Sequence, residues 1–236
     1  MSTPQQATAR NRLLKALSAE DFARLQPHMR SETVELRQTL IVPNDPIGTL
    51  YFPETGYVSM VSQSSGKVEV GMIGREGLVG ATPVLLGVDR TPYLHLVQSP
   101  GEMLCINTDD LCAAVEQSRS LRKLLLRYVQ TLIIQTAQTA FANAAYNIDV
   151  RLARWLLMCR DRVDGDDLVV THEFLSTMLG AQRSSTTLAV QALESHSLIK
   201  ARRGRITILD RDALIGVADE GYGLPEREYA RLIEDV

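Results

Sequence analysis

Gln182, Arg183, Ser184, Ser185, Thr187, Leu188 and Gln191 share one face of an apolar-periodic stretch, and Arg202, Arg203 and Arg205 follow around a glycine. Amide, hydroxyl and guanidinium groups displayed along a helix are the ones that reach phosphates and base edges when that helix lies in a major groove. The segment Val169–Leu209 carries five Lys and Arg (Arg183, Lys200, Arg202, Arg203, Arg205) against Glu173 and Glu194, a local charge of +3 in a chain of net charge −3. Positive charge gathered in one stretch of an acidic protein suits binding that depends on releasing phosphate counterions. The competing reading is a small helical domain with an ordinary solvated face, or a winged domain docking on protein. The sequence Arg202-Arg203-Gly204-Arg205 argues against the second.

Two helices must position that face. Leu175, Met178 and Leu179 share one side of a short helix, while Thr186, Ala189, Val190 and Leu193 recur at i, i+3, i+4 and i+7 on the next. Gly180, Ala181 and Gln182 form the turn between them, with Ser184 or Ser185 as candidate N-cap of the second helix. This is the pattern of a helix-turn-helix. Leu198-Ile199-Lys200 and Ile206-Thr207-Ile208 then alternate as short strands around Ala201–Arg205, a basic hairpin that forms a wing.

With 236 residues, 45% hydrophobic and 22% charged, the chain has material for two domains with real cores. No charged leader followed by an apolar run opens it, and no stretch approaches the ~18 apolar residues of a membrane span, so a cytoplasmic location is expected with no membrane partner. Cys105, Cys112 and Cys159 are odd in number and form no CxxC pair, which argues against a disulfide framework or a zinc site and for buried free thiols. His28, His95, His172 and His196 are scattered. No Ser/His/Asp, paired-carboxylate or metal-spaced cluster is present, so no enzyme, metal or cofactor is expected.

Packing helices cover Arg12 to Leu25, with Ser18 as a helix start. From Thr33 to Thr108 the periodicity becomes two. Val34–Leu36, Leu40–Val42, Leu50–Phe52, Tyr57–Val61, Val68–Ile73, Tyr93–Val97 and Glu102–Ile106 read as strands separated by turns at Pro43–Pro46, Thr55-Gly56, Ser64–Lys67 and Ser99–Gly101. Such spacing predicts a closed or double-sheeted antiparallel barrel or jelly roll. Gly74–Gly87 interrupts it as a glycine-rich loop entering a brief helix. Its backbone N–H groups, with Arg90-Thr91, are candidates to hold a phosphate or carboxylate. On the plainer reading the glycines only turn the chain and Arg90 is solvated.

From Asp109 the chain is helical. Thr108 or Asp109 can cap one helix, and Ser118 or Ser120 opens a long one. Arg119–Ala145 contains neither glycine nor proline, and its 27 residues make a rod of roughly 40 Å. It is apolar on more than one side, so either a twin helix in a homodimer or other parts of the same chain must cover it. Asn147-Ile148-Asp149 caps the next helix and leaves a hinge at Tyr146–Asp149. The domain plan is 1–118 for the N-terminal helices and barrel, 119–147 for the dimerisation helix, 148–211 for the winged helix-turn-helix and 212–236 for a C-terminal extension. That extension holds seven acidic and two basic residues. Its charge disfavours DNA contact, and a solvated helix packed back on the domain is expected.

This order of elements resembles the Crp/Fnr family of bacterial transcription regulators across about Leu13 to Leu209. The match is most specific from Thr171 to Ile208, where Gly180 stands at the turn, Arg183 opens the recognition helix, and Leu193-Glu194 precede Leu198-Ile199. Asn143 and Asp149 look like the family's residues at the dimer helix end and the next helix start. The resemblance implies an α+β fold with an N-terminal antiparallel, jelly-roll-like β-roll, a long dimerisation helix and a C-terminal winged helix-turn-helix. It also implies a homodimer that binds a palindromic promoter site in double-stranded DNA and recruits or blocks RNA polymerase. Thr171 joins Gln182, Arg183, Ser184, Ser185, Thr187, Leu188, Arg202, Arg203 and Arg205 as DNA-contact candidates. The family's effector pocket maps onto Gly80, Ala81, Arg90, Thr91, Ala137 and Gln138.

The departures matter as much. Cyclic-AMP-responsive members of the family use a glycine-glutamate pair, which here resembles Gly80-Ala81 and lacks the carboxylate. Their adenine-reading polar pair is similar to Ala137-Gln138, leaving Arg90-Thr91 as the retained phosphate half, so cyclic AMP is not the expected effector. No cysteine precedes Cys105, unlike the iron–sulfur members, and His95 reads as a strand residue rather than a haem ligand. Ser184 and Leu188 replace a base-reading glutamate and arginine, which implies a different DNA half-site. The expected function is a homodimeric, sequence-specific regulator with an unknown effector. The alternative is a cyclic-nucleotide or other small-ligand module whose winged domain contacts protein.

Overall fold

A computed structural model describes residues 4–63 and 67–235 of the chain. Helices α1 (Arg12–Lys15) and α2 (Ala19–Leu25) begin at side-chain caps: Asn11 Oδ1 accepts from the Leu14 N–H at 3.0 Å, and Ser18 Oγ from the Asp21 N–H at 3.1 Å. The barrel strands are β1 (Arg30–Val34), β2 (Thr39–Ile41), β3 (Thr49–Pro53), β4 (Tyr57–Ser62), β5 (Val68–Ile73), β6 (Leu94–Ser99) and β7 (Gly101–Asn107), with α3 (Ala81–Leu85) between β5 and β6. They pair antiparallel into two sheets, β1-β7-β3 and β2-β6-β4-β5. This is the double-sheeted form that the strand spacing predicts.

The first strand ends at Val34 instead of starting there. Arg37 adopts φ +67°, and the Glu35 N–H donates to Gln38 Oε1 at 2.9 Å, so Val34–Leu36 leads into a turn. Of the expected turn at Ser64–Lys67, residues Ser64, Ser65 and Gly66 lie outside the described residues. Between the sheets Val34, Leu50, Phe52, Val58, Val97 and Ile106 are fully buried.

Helix α4 (Thr108–Gln117) follows Asn107 rather than a capping Thr108, whose hydroxyl donates instead to the Ile47 carbonyl. Ser118 Oγ caps α5 (Arg119–Ala145), accepting from the Leu121 N–H at 3.2 Å, and Asn147 Oδ1 caps α6 (Ile148–Arg160), accepting from Val150 N–H at 3.1 Å. Extended backbone at Tyr146 separates α5 from α6. Leu121, Leu125, Tyr128 and Leu132 of α5 close the barrel core.

The remaining elements are β8 (Asp167–Leu168), α7 (His172–Met178), α8 (Arg183–Ser195), β9 (Ile199–Arg202), β10 (Arg205–Ile208) and α9 (Arg211–Ala218), with sheet order β8-β10-β9. Their core, centred on Leu156, Leu175, Val190, Leu193 and Ile206, is continuous with Tyr57, Val61, Met72 and Leu94 of the barrel. The winged unit is therefore docked on the four-stranded sheet through shared apolar packing. Leu214 and Ala218 of α9 belong to that same core, so the unit runs past residue 211, the boundary expected from sequence.

Beyond it, α10 (Leu224–Tyr229) and a π-helical turn at Ala230–Glu234 return to α5. Tyr229 and Ile233 are buried in the barrel core; the Arg12 guanidinium lies 4.8 Å from the Tyr229 ring centroid and pairs with Glu234 at 2.7 Å. The expected solvated helix is thus a strap from the winged unit to the barrel. The apolar Tyr229, Leu232 and Ile233 among its acids supply the buried side. No helix among the described residues is long and apolar enough to cross a membrane.

Candidate nucleic-acid interface

The turn between α7 and α8 is set by Gly180 at φ +57°. The Ala181 N–H donates to the Ser176 carbonyl at 2.9 Å and the Gly180 N–H to the Thr177 carbonyl at 3.2 Å, the paired bonds of a Schellman ending. A side chain at position 180 would strain that backbone, and its Cβ would stand 3.1 Å from Val68 of the barrel. This ending places Gln182 in extended conformation as the N-cap of α8. Ser184 and Ser185 consequently lie within the first turn and do not cap it.

Thr186, Ala189, Val190 and Leu193 are the buried side of α8, as their spacing predicts. Gln182, Arg183, Ser184, Leu188 and Gln191 are exposed, and Ser185 and Thr187 are half-buried. Leu188 is 66% exposed, a large apolar side chain standing in the middle of the presented face. Thr171 is exposed too, but its hydroxyl caps α7 by accepting from the Phe174 N–H at 3.2 Å.

In the wing, Arg202 stands opposite Arg205 across a two-residue turn of Arg203 and Gly204, the latter at φ +74°. Arg205 pairs with Asp167 at 2.9 Å, and Asp167 also accepts from Thr207 Oγ1 at 2.5 Å. The Thr207 hydroxyl and Arg205 hold the Asp167 carboxyl below its ordinary range. Arg183, Lys200, Arg202 and Arg203 form no ion pair among the described residues. The free positive charge therefore sits at the start of α8 and the wing tip, and Arg205 is partly neutralised.

The winged unit is held to the barrel by polar contacts that no local sequence pattern announces. Gln98 Nε2 approaches Met178 Sδ at 3.6 Å, and the buried Arg162 pairs with Glu76 at 2.7 Å, while within the winged unit Arg151 of α6 donates to the Leu179 carbonyl. Among the described residues no three His, Cys, Asp or Glu side chains gather as metal ligands.

Four of the six proposed effector residues, Gly80, Ala81, Arg90 and Thr91, line one cavity in the barrel. Ala137 and Gln138 do not. Ala137 is exposed, and Gln138 Nε2 is turned to the strap, donating to the Glu220 carbonyl at 3.1 Å. Leu132, more than a turn earlier, is the residue that α5 contributes to the cavity wall.

A family model described as a Crp-like helix-turn-helix domain matches residues 150–217, the span from α6 to α9. The global nitrogen regulator of Nostoc sp. is 27% identical over 187 residues, covering 75% of this chain and 84% of that protein. Residues 150–217 are thus similar to the Crp-like helix-turn-helix domain, and most of the chain is similar to this regulator. The helix-turn-helix that this domain description names is built here from α7 and α8, with the β9–β10 wing beside them. A second relative, the global nitrogen regulator of Synechocystis sp., is 25% identical over 89% of this chain and 97% of its own length. A solved structure of a CRP/FNR-family transcriptional regulator from Thermus thermophilus has the same fold, with TM-score 0.64 at 16% identity over 82% of this chain and 100% of that one. The strap beyond α9 lies outside the span of the matched helix-turn-helix model.

Proposed function

We propose that this chain is a DNA-binding transcriptional regulator of the Crp/Fnr type that acts in the cytoplasm as a homodimer on a palindromic promoter site, where it recruits or blocks RNA polymerase. The observation that carries the dimer is the outer side of α5. Leu126, Ile133 and Phe141 are 41%, 50% and 52% exposed there, and Ala137, Ala140 and Ala144 complete an apolar stripe. Apolar residues repeating at near-heptad spacing on an exposed helix suit a twin helix packed along them. Pairing α5 with its copy presents two α8 helices, and two-fold symmetry calls for half-sites about one helical turn, roughly 34–36 Å, apart.

Within each half-site, Arg183 and Gln182 are the residues suited to base edges, with Ser184, Ser185, Thr187 and Thr171 near the phosphates. Leu188 supplies an apolar contact such as a thymine methyl accepts. Arg202, Arg203 and Arg205 of the wing serve the backbone beside it. Cyclic AMP is not the signal in this reading, because the Arg90 guanidinium is already engaged by Asp89 and no carboxylate stands at Ala81. No enzymatic step is proposed.

Light scattering on the purified chain and footprinting on DNA upstream of its own gene test this reading together. It requires a dimer mass and two protected half-sites with a shared centre. A monomer that protects one half-site would refute the dimer arrangement.

A further inference from the structure

The barrel cavity between α3, β4, β6 and α5 has a volume of about 240 Å³. Met60, Ile73, Ala81, Pro83 and Leu132 form its walls, and Leu86 and Val88, 58% and 51% exposed, stand at its mouth. Large apolar side chains left in water around an apolar hollow mark a place for an apolar occupant. Within the wall His95 is only 3% exposed, and its Nδ1 has no hydrogen-bond partner. Burial holds the imidazole well below its ordinary value, at about 4, so the ring is neutral near neutral pH. A neutral ring keeps one nitrogen as an acceptor, and with Nδ1 in that role it lacks a donor, a costly state for a buried group.

Charge is poorly served by the same cavity. Arg90, its one charged residue, donates from Nε and Nη2 to Asp89, each at 2.9 Å, and is solvated at the rim. Thr91 Oγ1 already accepts from the Tyr93 N–H at 3.3 Å. An ion buried against the remaining walls would lose its hydration and meet only the hydroxyls of Thr82 and Tyr93, with no free charge to offset the loss.

We propose that this cavity binds a small, uncharged, mainly apolar molecule of one or two rings carrying one O–H or N–H donor, which bonds to His95 Nδ1. The proposal rests on reading the barrel as the sensor of the regulator. An apolar protein cavity of about 150 Å³ accommodates benzene, so the larger volume here suits a bicyclic body. The occupant would press on Leu132, on the inner side of the helix whose outer side carries the apolar stripe.

Indole and indene, bicyclic molecules of similar shape with and without an N–H, are suitable probes for titration calorimetry on the full chain. Indole is expected to bind once per chain, and indene about tenfold more weakly, since it leaves the buried acceptor unpaired. His95→Leu should bring the two to equal affinity. Val88→Trp, at an exposed site where folding is not at stake, should block both. Equal binding of the two probes to the native chain, no binding of either, binding unaffected by Val88→Trp, or displacement of indole by cyclic AMP would each overturn the proposal. A gel shift on the same samples separates the two readings: loss of DNA binding with indole binding intact faults the regulator reading, and the reverse faults the cavity.

Discussion

Glu69 of β5 accepts a hydrogen bond from Trp155 Nε1 of α6 at 2.9 Å, and both side chains are buried where the barrel sheet meets the winged unit. Ser59 also donates to the carboxylate, while Arg154 and Arg162 face it from α6 and the residues just after it. Because Trp155 is the only tryptophan in the chain, its emission reports on this junction.

The pair makes the junction sensitive to pH. Burial pushes the Glu69 carboxyl up to about 7 from an ordinary 4.5, against the pull of Ser59, Trp155 and the two arginines. The folded chain therefore holds this proton more tightly than the unfolded chain does. Stability from this group is full below about pH 4.5 and is lost as pH rises through about 7. The whole difference is at most about 3.5 kcal/mol, at ~1.4 kcal/mol per tenfold change in proton affinity. Glu69→Gln, which keeps the acceptor for Trp155, should flatten the pH dependence of urea unfolding between about pH 5 and pH 8. An unchanged slope would mean that Glu69 is not the group that titrates.

The apolar stripe on α5 gives a prediction about assembly. Ile133→Glu puts a charge at its centre without touching the protomer core, since Ile133 is 50% exposed. Light scattering should show a folded monomer, and affinity for a two-half-site DNA should fall by about 100-fold or more as the linkage of two binding events is lost. A variant that remains dimeric would place the interface elsewhere.

Removing packing from the strap should weaken the barrel although the strap follows the winged unit in sequence. Ile233 is 2% exposed in the barrel core, so Ile233→Ala should cost about 2–4 kcal/mol in urea unfolding. Leu224→Ala, at a residue 41% exposed on the same strap, should change stability by less than about 1 kcal/mol. Equal effects would show that the strap does not brace the barrel.

The helix-turn-helix was legible because its signals are local: Gly180 ends α7, the Thr186–Leu193 spacing buries one side of α8, and Arg203-Gly204 turns the wing. The long α5 and the barrel strands were legible for the same reason. Cap positions slipped by one or two residues, since Gln182 and Asn107 hold the extended backbone before α8 and α4 without a side-chain cap bond. The junction was not legible. Within Val68-Glu69-Val70, Glu69 reads as the solvent-facing position of an alternating strand, and only docking of α6 on that sheet buries it. The strap failed similarly. Its net acidic composition suggests solvation, and nothing local says that Tyr229 and Ile233 reach a core built more than a hundred residues earlier. Ala137 and Gln138 were placed by analogy with a nucleotide site, and the helix presents Leu132 to the cavity instead.

The central claim is that the exposed face of α8 reads DNA, and Arg183 is its most direct test. It opens the helix, is exposed, and forms no ion pair among the described residues, so replacing it leaves the fold intact. A gel shift of Arg183→Ala against the chain's own promoter region, in fixed salt and with the dimer mass checked, should show specific binding lost while weak, salt-sensitive binding through the wing remains. Native affinity and sequence preference in Arg183→Ala would contradict the assignment of α8 as the recognition helix.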